Sequence, residues 1–399
     1  MKPIIRFRRY NKEWHPFKLN TILIPSNEKN TKGLYGKNDV LSVSGEVGIV
    51  NQIAFQGRSF AGASVLNYGV VNTNEIVYTK SPLRNNPYGI IKTNNGPSGI
   101  VSTLYAIYNC CEKSCPQFVE TYFTLSSRTN NYLRPLVRKG AKNDMKVSSE
   151  GALLGDVIFP CKDEQIEIAS YFRTLDAKLQ ASTKKVESLK KLKAASLISM
   201  FPQQGGTIPK VRFKGFEGEW STSILGSIFA ERIESNENGE MLSVTMNNGI
   251  IRSSDNGRFD NSNSDKSKYK VVKIGDIAYN SMRMWQGASG VSQYEGIVSP
   301  AYTVVTPSVD VDTDFFGYLF KTDDVIRLFK LNSQGLTSDN WNLKYPAFSR
   351  ICVSYPESKE EQQAIATFFR SLDRKIALET ARLEKLKQIK LACLDKMFV

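Results

Sequence analysis

The strongest constraint on this chain is that it says one thing twice. Residues 163–179 read DEQIEIASYFRTLDAKL and residues 360–376 read EEQQAIATFFRSLDRKI. At an offset of 197, residues 163–202 share 18 of 40 positions with residues 360–399. The identities include Gln165/Gln362, Phe172/Phe369, Leu175/Leu372, Asp176/Asp373, Leu189/Leu386 and Lys193/Lys390, and both segments end in Met-Phe. The likeness continues upstream in unbroken order. PIIRFRRYNKEW (3–14) matches PKVRFKGFEGEW (209–220), and LSVSGEVGIV (41–50) matches LSVTMNNGII (242–251). EIVY (75–78) matches DIAY (276–279), and IVSTLY (100–105) matches IVSPAY (297–302). A chain with this order of repeats folds as two copies of one unit.

Each copy divides into two kinds of sequence. In the tail of the first, Phe172, Leu175, Leu179, Val186 and Leu189 recur at spacings of three, four and seven. Phe369, Leu372, Ile376, Leu383 and Leu386 do the same in the second, with Lys and Glu filling the other positions. That periodicity predicts helices over 163–200 and 360–398, each about 57 Å long. A narrow apolar seam on so long a helix calls for a partner helix, so the two should pair as a coiled coil. Before each tail lie short β-branched and aromatic runs bounded by Gly, Asn, Pro and Ser, which read as strands. The expected fold is α/β (α+β). It comprises a globular domain at 1–160, a helix within 161–202, a second globular domain at 203–357 and a helix within 358–399. FPQQGGTIP (201–209) reads as the linker between copies.

Composition narrows the chemistry. The single histidine, His15, removes His-based metal sites and Ser-His or Cys-His catalysis. Cys110, Cys111 and Cys115 lack a CxxC pair, and with Cys161, Cys352 and Cys393 they read as reduced thiols rather than a zinc site. No phosphate loop, HExxH or GxSxG occurs. NNPY (85–88) approaches the [DN]-P-P-[YF] motif of adenine methyltransferases, but Asn86 stands in a proline position. FAGAS (60–64) lacks the last glycine of the matching cofactor motif. DVDTD (310–314) reads as a solvated loop. No metal and no cofactor are expected in the chain. No apolar run approaches a membrane span, and no signal core follows the basic start, so a cytoplasmic protein without a membrane partner is expected.

The formal charge is +14, of which residues 1–162 carry +11 and residues 203–359 carry −1. A basic balance of this size makes nucleic acid the leading partner class. Two loops hold the side chains that base readout uses. YTKSPLRNNPYGIIKTNNG (78–96) supplies Lys80, Arg84, Asn85, Asn86, Lys92 and Asn94. YNSMRMWQGASG (279–290) supplies Asn280, Arg283, Trp285 and Gln286. Arg forks guanine O6 and N7, and Asn or Gln pairs with adenine N6 and N7. The loops follow matched β segments yet differ from each other, which suits two copies of a scaffold reading two different sequences.

With these features in view, the sequence resembles the specificity (S) subunits of type I restriction–modification systems. The resemblance rests on the EQ-x-x-I-A-x-F/Y-F-R-x-L-D repeat at 164–176 and 361–373, on the long helices ending Met-Phe, and on RFKGFEGEW at 212–220. It implies two target recognition domains that read the halves of a bipartite site in double-stranded DNA, held apart by two antiparallel helices acting as a ruler. It also implies a non-catalytic chain that docks two methyltransferase (M) subunits, with restriction (R) subunits in the full complex. S-adenosylmethionine, ATP and Mg then belong to those partners. On this reading Gln165, Phe172, Leu175, Asp176, Leu189, Gln362, Phe369, Leu372, Asp373 and Leu386 form the helix seam and the M docking places. The opening turn at Arg9-Tyr10-Asn11 should differ from its counterpart, Gly215-Phe216-Glu217. The rival readings are a stand-alone DNA adenine methyltransferase or other DNA-modifying enzyme, and a helical scaffold with no DNA role.

Overall fold

The structure, a computed structural model, describes residues 1–83, 85–139, 145–203, 205–246, 248–256, 265–337 and 340–399. The chain forms two compact units, Met1–Thr183 with Ala381–Val399, and Lys184–Thr380. Each unit therefore holds one globular domain, the first part of the helix that follows it and the last part of the other helix.

In the first unit a four-stranded sheet has the order β1-β4-β2-β3, with β1 Leu23–Ser26, β2 Ile76–Tyr78, β3 Ile91–Thr93 and β4 Ala106–Cys110. Every pairing in it is antiparallel, for example Ile76 opposite Tyr108 and Thr93. The helix α1 then runs from Lys162 to Met200. The second unit repeats the sheet as β5-β8-β6-β7, with β5 Phe229–Glu231, β6 Ile277–Asn280, β7 Ser289–Val291 and β8 Tyr302–Pro307. The helix α2 closes the chain at Lys359–Lys396. The matched segments become matched elements: both LSV stretches open a two-stranded hairpin, Leu41–Ser44 with Gly48–Asn51 and Leu242–Thr245 with Gly249–Arg252. EIVY and DIAY become β2 and β6.

Both long helices begin just after a proline and carry two acidic residues in the first turn, Asp163 and Glu164 or Glu360 and Glu361, where the helix dipole favours them. In the first unit Asp176 of α1 pairs with Lys390 of α2, and the Tyr171 hydroxyl lies 3.4 Å from Cys393 Sγ. Numbers rise along one helix as they fall along the other, so the two run antiparallel there. In the second unit Lys193 meets Asp373 at 2.6 Å and Lys185 meets Glu379 at 2.9 Å, with the same antiparallel sense.

The Met-Phe endings are core rather than tail. Phe398 packs in the first unit against Phe118 and Phe172, with ring centroids 5.6 and 6.0 Å away. Phe201 packs in the second against Phe315 and Phe369 at 5.5 and 5.9 Å. Phe201, read from sequence as the first linker residue, is 1% exposed. An aromatic ring of this size buries where a pocket exists, and the preceding helix delivers it to one. The opening turns differ as expected: Gly215 and Gly218 take φ of +98° and +83°, while Arg9 and Lys12, which stand in their places, are not among the positive-φ residues described.

Candidate nucleic-acid interface

The two divergent loops occupy the same place on the two sheets. Residues 79–90 join β2 to β3, and residues 281–288 join β6 to β7. In the first loop Lys80 has φ +46°, a left-handed backbone that a non-glycine residue adopts at a cost. Burial pushes its ammonium below the ordinary lysine value. Gly89, at φ +91°, closes the loop where an added Cβ would stand 2.9 Å from the Tyr78 ring. The Tyr78 hydroxyl donates to Tyr88 O at 2.7 Å, and Asn130 Nδ2 donates to Asn85 O at 3.2 Å. Asn85 is exposed at the tip, and Asn86 forms the turn through paired bonds with Leu83. The Asn86 carbonyl also accepts from Gly89 N at 3.0 Å, so NNPY is a turn rather than a free base-binding motif. Arg84 lies outside the described residues.

Two candidates belong to the fold instead. Lys92 sits on β3, mostly buried, with its ammonium 3.4 Å from Glu120. Asn94 is 1% exposed; its amide donates to Asn72 O and Pro97 O, and its Oδ1 accepts from Gly96 N at 3.1 Å. Both side chains are spent inside the domain and are not available to a base edge. Their polarity marked them in the sequence, but the strand pairing turns them inward.

In the second loop Asn280 Oδ1 accepts from Met282 N at 3.0 Å, fixing the exit from β6. Arg283 is exposed, with Nη1 3.4 Å from Gln286 Oε1. Trp285 is half-buried; its indole donates to Met282 O at 3.1 Å, and its ring meets Trp341 edge-on at 5.2 Å. Lys330 Nζ stands 5.5 Å from the Trp341 ring. This cluster joins a guanidinium, an amide, two indoles and an ammonium, the groups that grip phosphates and base edges. Trp341 and Lys330 escape a reading limited to the loop because they come from later segments. DVDTD has structural work: Asp312 caps the helix Thr313–Leu319 through Phe315 N, Asp314 pairs with Arg370, and Asp310 pairs with Lys359.

The repeated helix residues act mainly within their own units. Gln165 is buried; its Oε1 accepts from Ser114 Oγ and Cys115 N, both at 3.0 Å, and its Nε2 donates to Pro160 O. Gln362 does the same with Asp312 N and Pro356 O, both at 2.8 Å. Phe172 and Phe369 are core, and Leu175 and Leu372 are buried. Leu189 and Leu386 are half-buried along the seam. Asp176 and Asp373 are held by Lys390 and Lys193, and the Tyr318 hydroxyl also donates to Asp373 at 2.9 Å. The docking role assigned to Gln165, Gln362, Phe172, Phe369, Leu175 and Leu372 is corrected, because their polar atoms and apolar surfaces are already covered, whereas Leu189 and Leu386 stay half-open. Beside them stands a pair of ion clusters whose sequence signal was present. Arg6 forks Glu164 at 2.6 and 2.7 Å with Trp14 Nε1 at 3.3 Å, and Arg212 forks Glu361 at 2.6 and 2.7 Å with Trp220 Nε1 at 3.4 Å. Each partner is identical in both copies.

The fold is thus a tandem of two antiparallel α+β domains, each presenting a loop of its own and each packed with parts of both long helices. The family described as type I restriction modification DNA specificity domain matches residues 218–388. The HindI type I restriction enzyme specificity subunit of Haemophilus influenzae is 26% identical over 136 residues, 33% of this chain and 29% of that protein. The alignment thus spans under a third of that relative. The crystal structure of the type I restriction–modification S subunit from M. genitalium has a TM-score of 0.59 at 16% identity, covering 100% of this chain and 99% of that one. By sequence the chain resembles the type I restriction modification DNA specificity domain over residues 218–388, and over its whole length its fold is similar to that of the M. genitalium S subunit.

Proposed function

We propose that this chain is the DNA-recognition subunit of a type I restriction–modification complex, reading the two halves of a bipartite duplex site with the loops at 79–90 and 281–288. The observation that carries the reading is that one sheet scaffold, made twice, places two unlike polar loops on equivalent hairpins. A stand-alone enzyme would have no use for that duplication. Lys80 and Asn85 serve the first loop, with Arg84 between them in sequence; Asn280, Arg283, Trp285 and Gln286 serve the second.

The chain docks two methyltransferase subunits through the outer faces of the paired helices, and restriction subunits join the complete assembly. Leu192 and Ile389 occupy equivalent positions at the 197 offset and are 49% and 38% exposed. Apolar residues left open at both copies of one position suit two like partners. S-adenosylmethionine, ATP and Mg reside on those partners, and the complex works in the cytoplasm.

The test is to express the chain with its methyltransferase subunit and map methylated adenines. A bipartite motif is expected. Arg283→Ala should relax one half-motif only, by about 1–3 kcal/mol if its fork engages guanine. Methyl transfer by the purified chain alone would overturn the reading, and so would an Arg283→Ala motif unchanged in both halves.

A further inference from the structure

We propose that Lys321 is the positioning residue of the second reading loop, holding Arg283, Trp285 and Gln286 in place through the backbone that follows them. The inference rests on the reading of residues 281–288 as a DNA-recognition loop.

Lys321 follows the helix Thr313–Leu319, away from the loop in sequence. Its Nζ donates to Gly287 O, to Ser289 O at 2.9 Å and to Met246 O at 3.4 Å. Gly287 and Ser289 flank the point where the loop returns to β7, and Met246 belongs to the turn of the hairpin Leu242–Thr245 with Gly249–Arg252. One ammonium, with three N–H donors, thus ties two loops to one helix end. Gly287 must keep φ +79°, and an added Cβ would stand 3.2 Å from Ile326, so the return is narrow and its carbonyl direction is set.

Two observations separate this lysine from general stability. The equivalent position in the first copy, at the 197 offset, is Thr124, whose hydroxyl bonds back to Glu120 O at 2.9 Å. The scaffold therefore forms without a cation there, and the first loop is held by Tyr78 and Asn130 instead. Lys321 also makes no ion pair among the described residues. The charged group facing it is Lys193 of α1, itself tied to Asp373, to which the Tyr318 hydroxyl also donates. Burial, with the Lys193 charge adding to it, pushes the Lys321 ammonium down to about 8. A half-buried cation met by carbonyls alone among the described residues is costly, and the loop is what it holds.

The test uses the full chain with its methyltransferase subunits and a randomised duplex DNA library, sequencing what is retained. Arg283→Ala identifies the half-motif read by the second domain. Lys321→Met should lower discrimination in that half-motif by about tenfold, the scale of one well-placed base contact. The other half-motif should stay intact, and Trp emission should shift as Trp285 leaves Trp341. Lys321→Gln, an amide with two donors, repeats the test should the methionine variant fail to fold. A folded variant of either kind that enriches both half-motifs as before, or loses both together, overturns the inference. An unchanged chain that enriches no bipartite motif would instead sink the DNA-reading function itself.

Discussion

At the residue scale, the repeated polar positions answer a burial problem. Glu164 and Glu361 are each 1% exposed, and such a carboxylate is tolerable only when forked by a guanidinium and further hydrogen-bonded. Arg6 and Trp14 do this for one, Arg212 and Trp220 for the other, and the Glu164 contact raises the Arg6 pKa. Lys321 is the opposite case, a cation without an anion among the described residues, and it makes stability depend on pH. Below about 8 both folded and unfolded chains carry its proton and the burial cost is complete. Between about 8 and 10.5 the unfolded chain still binds a proton that the folded one has released, so stability rises with pH. By pH ~9.5 the gain should reach roughly 2 kcal/mol. Urea unfolding of the wild-type chain and of Lys321→Met at both ends of that range checks it: only the wild type should show this increment.

At the scale of elements, a long helix here is shared property. The start of α1 packs on the first domain and its last residues, Met200 with Phe201, enter the core of the second unit; α2 does the reverse with Met397 and Phe398. Phe398→Ala should therefore weaken the first unit by about 3–5 kcal/mol, and Phe201→Ala the second by the same amount. Limited proteolysis of each variant reports which unit opens. Cleavage confined to the unit that carries the mutated helix's own start would contradict the assignment. The seam is interrupted by ion pairs such as Lys185–Glu379, which supply register more than affinity.

At the scale of the molecule, the chain passes from one compact unit to the other within the two helices, between Thr183 and Lys184 and between Thr380 and Ala381. If they set the distance between the two reading loops, their length fixes the unread gap in the DNA. Lengthening one alone would break the antiparallel register, so four residues are added to both, after Thr183 and after Thr380. Each helix grows by about 6 Å. With about 3.4 Å per base pair, the preferred gap should widen by one or two pairs while both half-motifs stay the same. Methylome mapping decides it, and retention of the original gap would show that the helices are not the ruler.

The sequence alone determined the duplication, the two long helices within a residue or two of their ends, the strand segments that match between copies, and the location of the two divergent loops. Those features are local or periodic, and an internal repeat makes them visible twice. It could not tell which polar residues face outward. Lys92 and Asn94 look like readers of DNA in a list of loop residues, but β3 turns them into the domain, where Glu120 and backbone groups satisfy them. Gln165 and Gln362 repeat because each caps contacts in its own unit, a role set by chain segments some fifty residues earlier. Lys321 and Trp341 reach the second loop only through the packing of later elements. Hydrophobic period is written residue by residue along the chain; the partner of a buried polar group is chosen in three dimensions, and only the tertiary structure decided it.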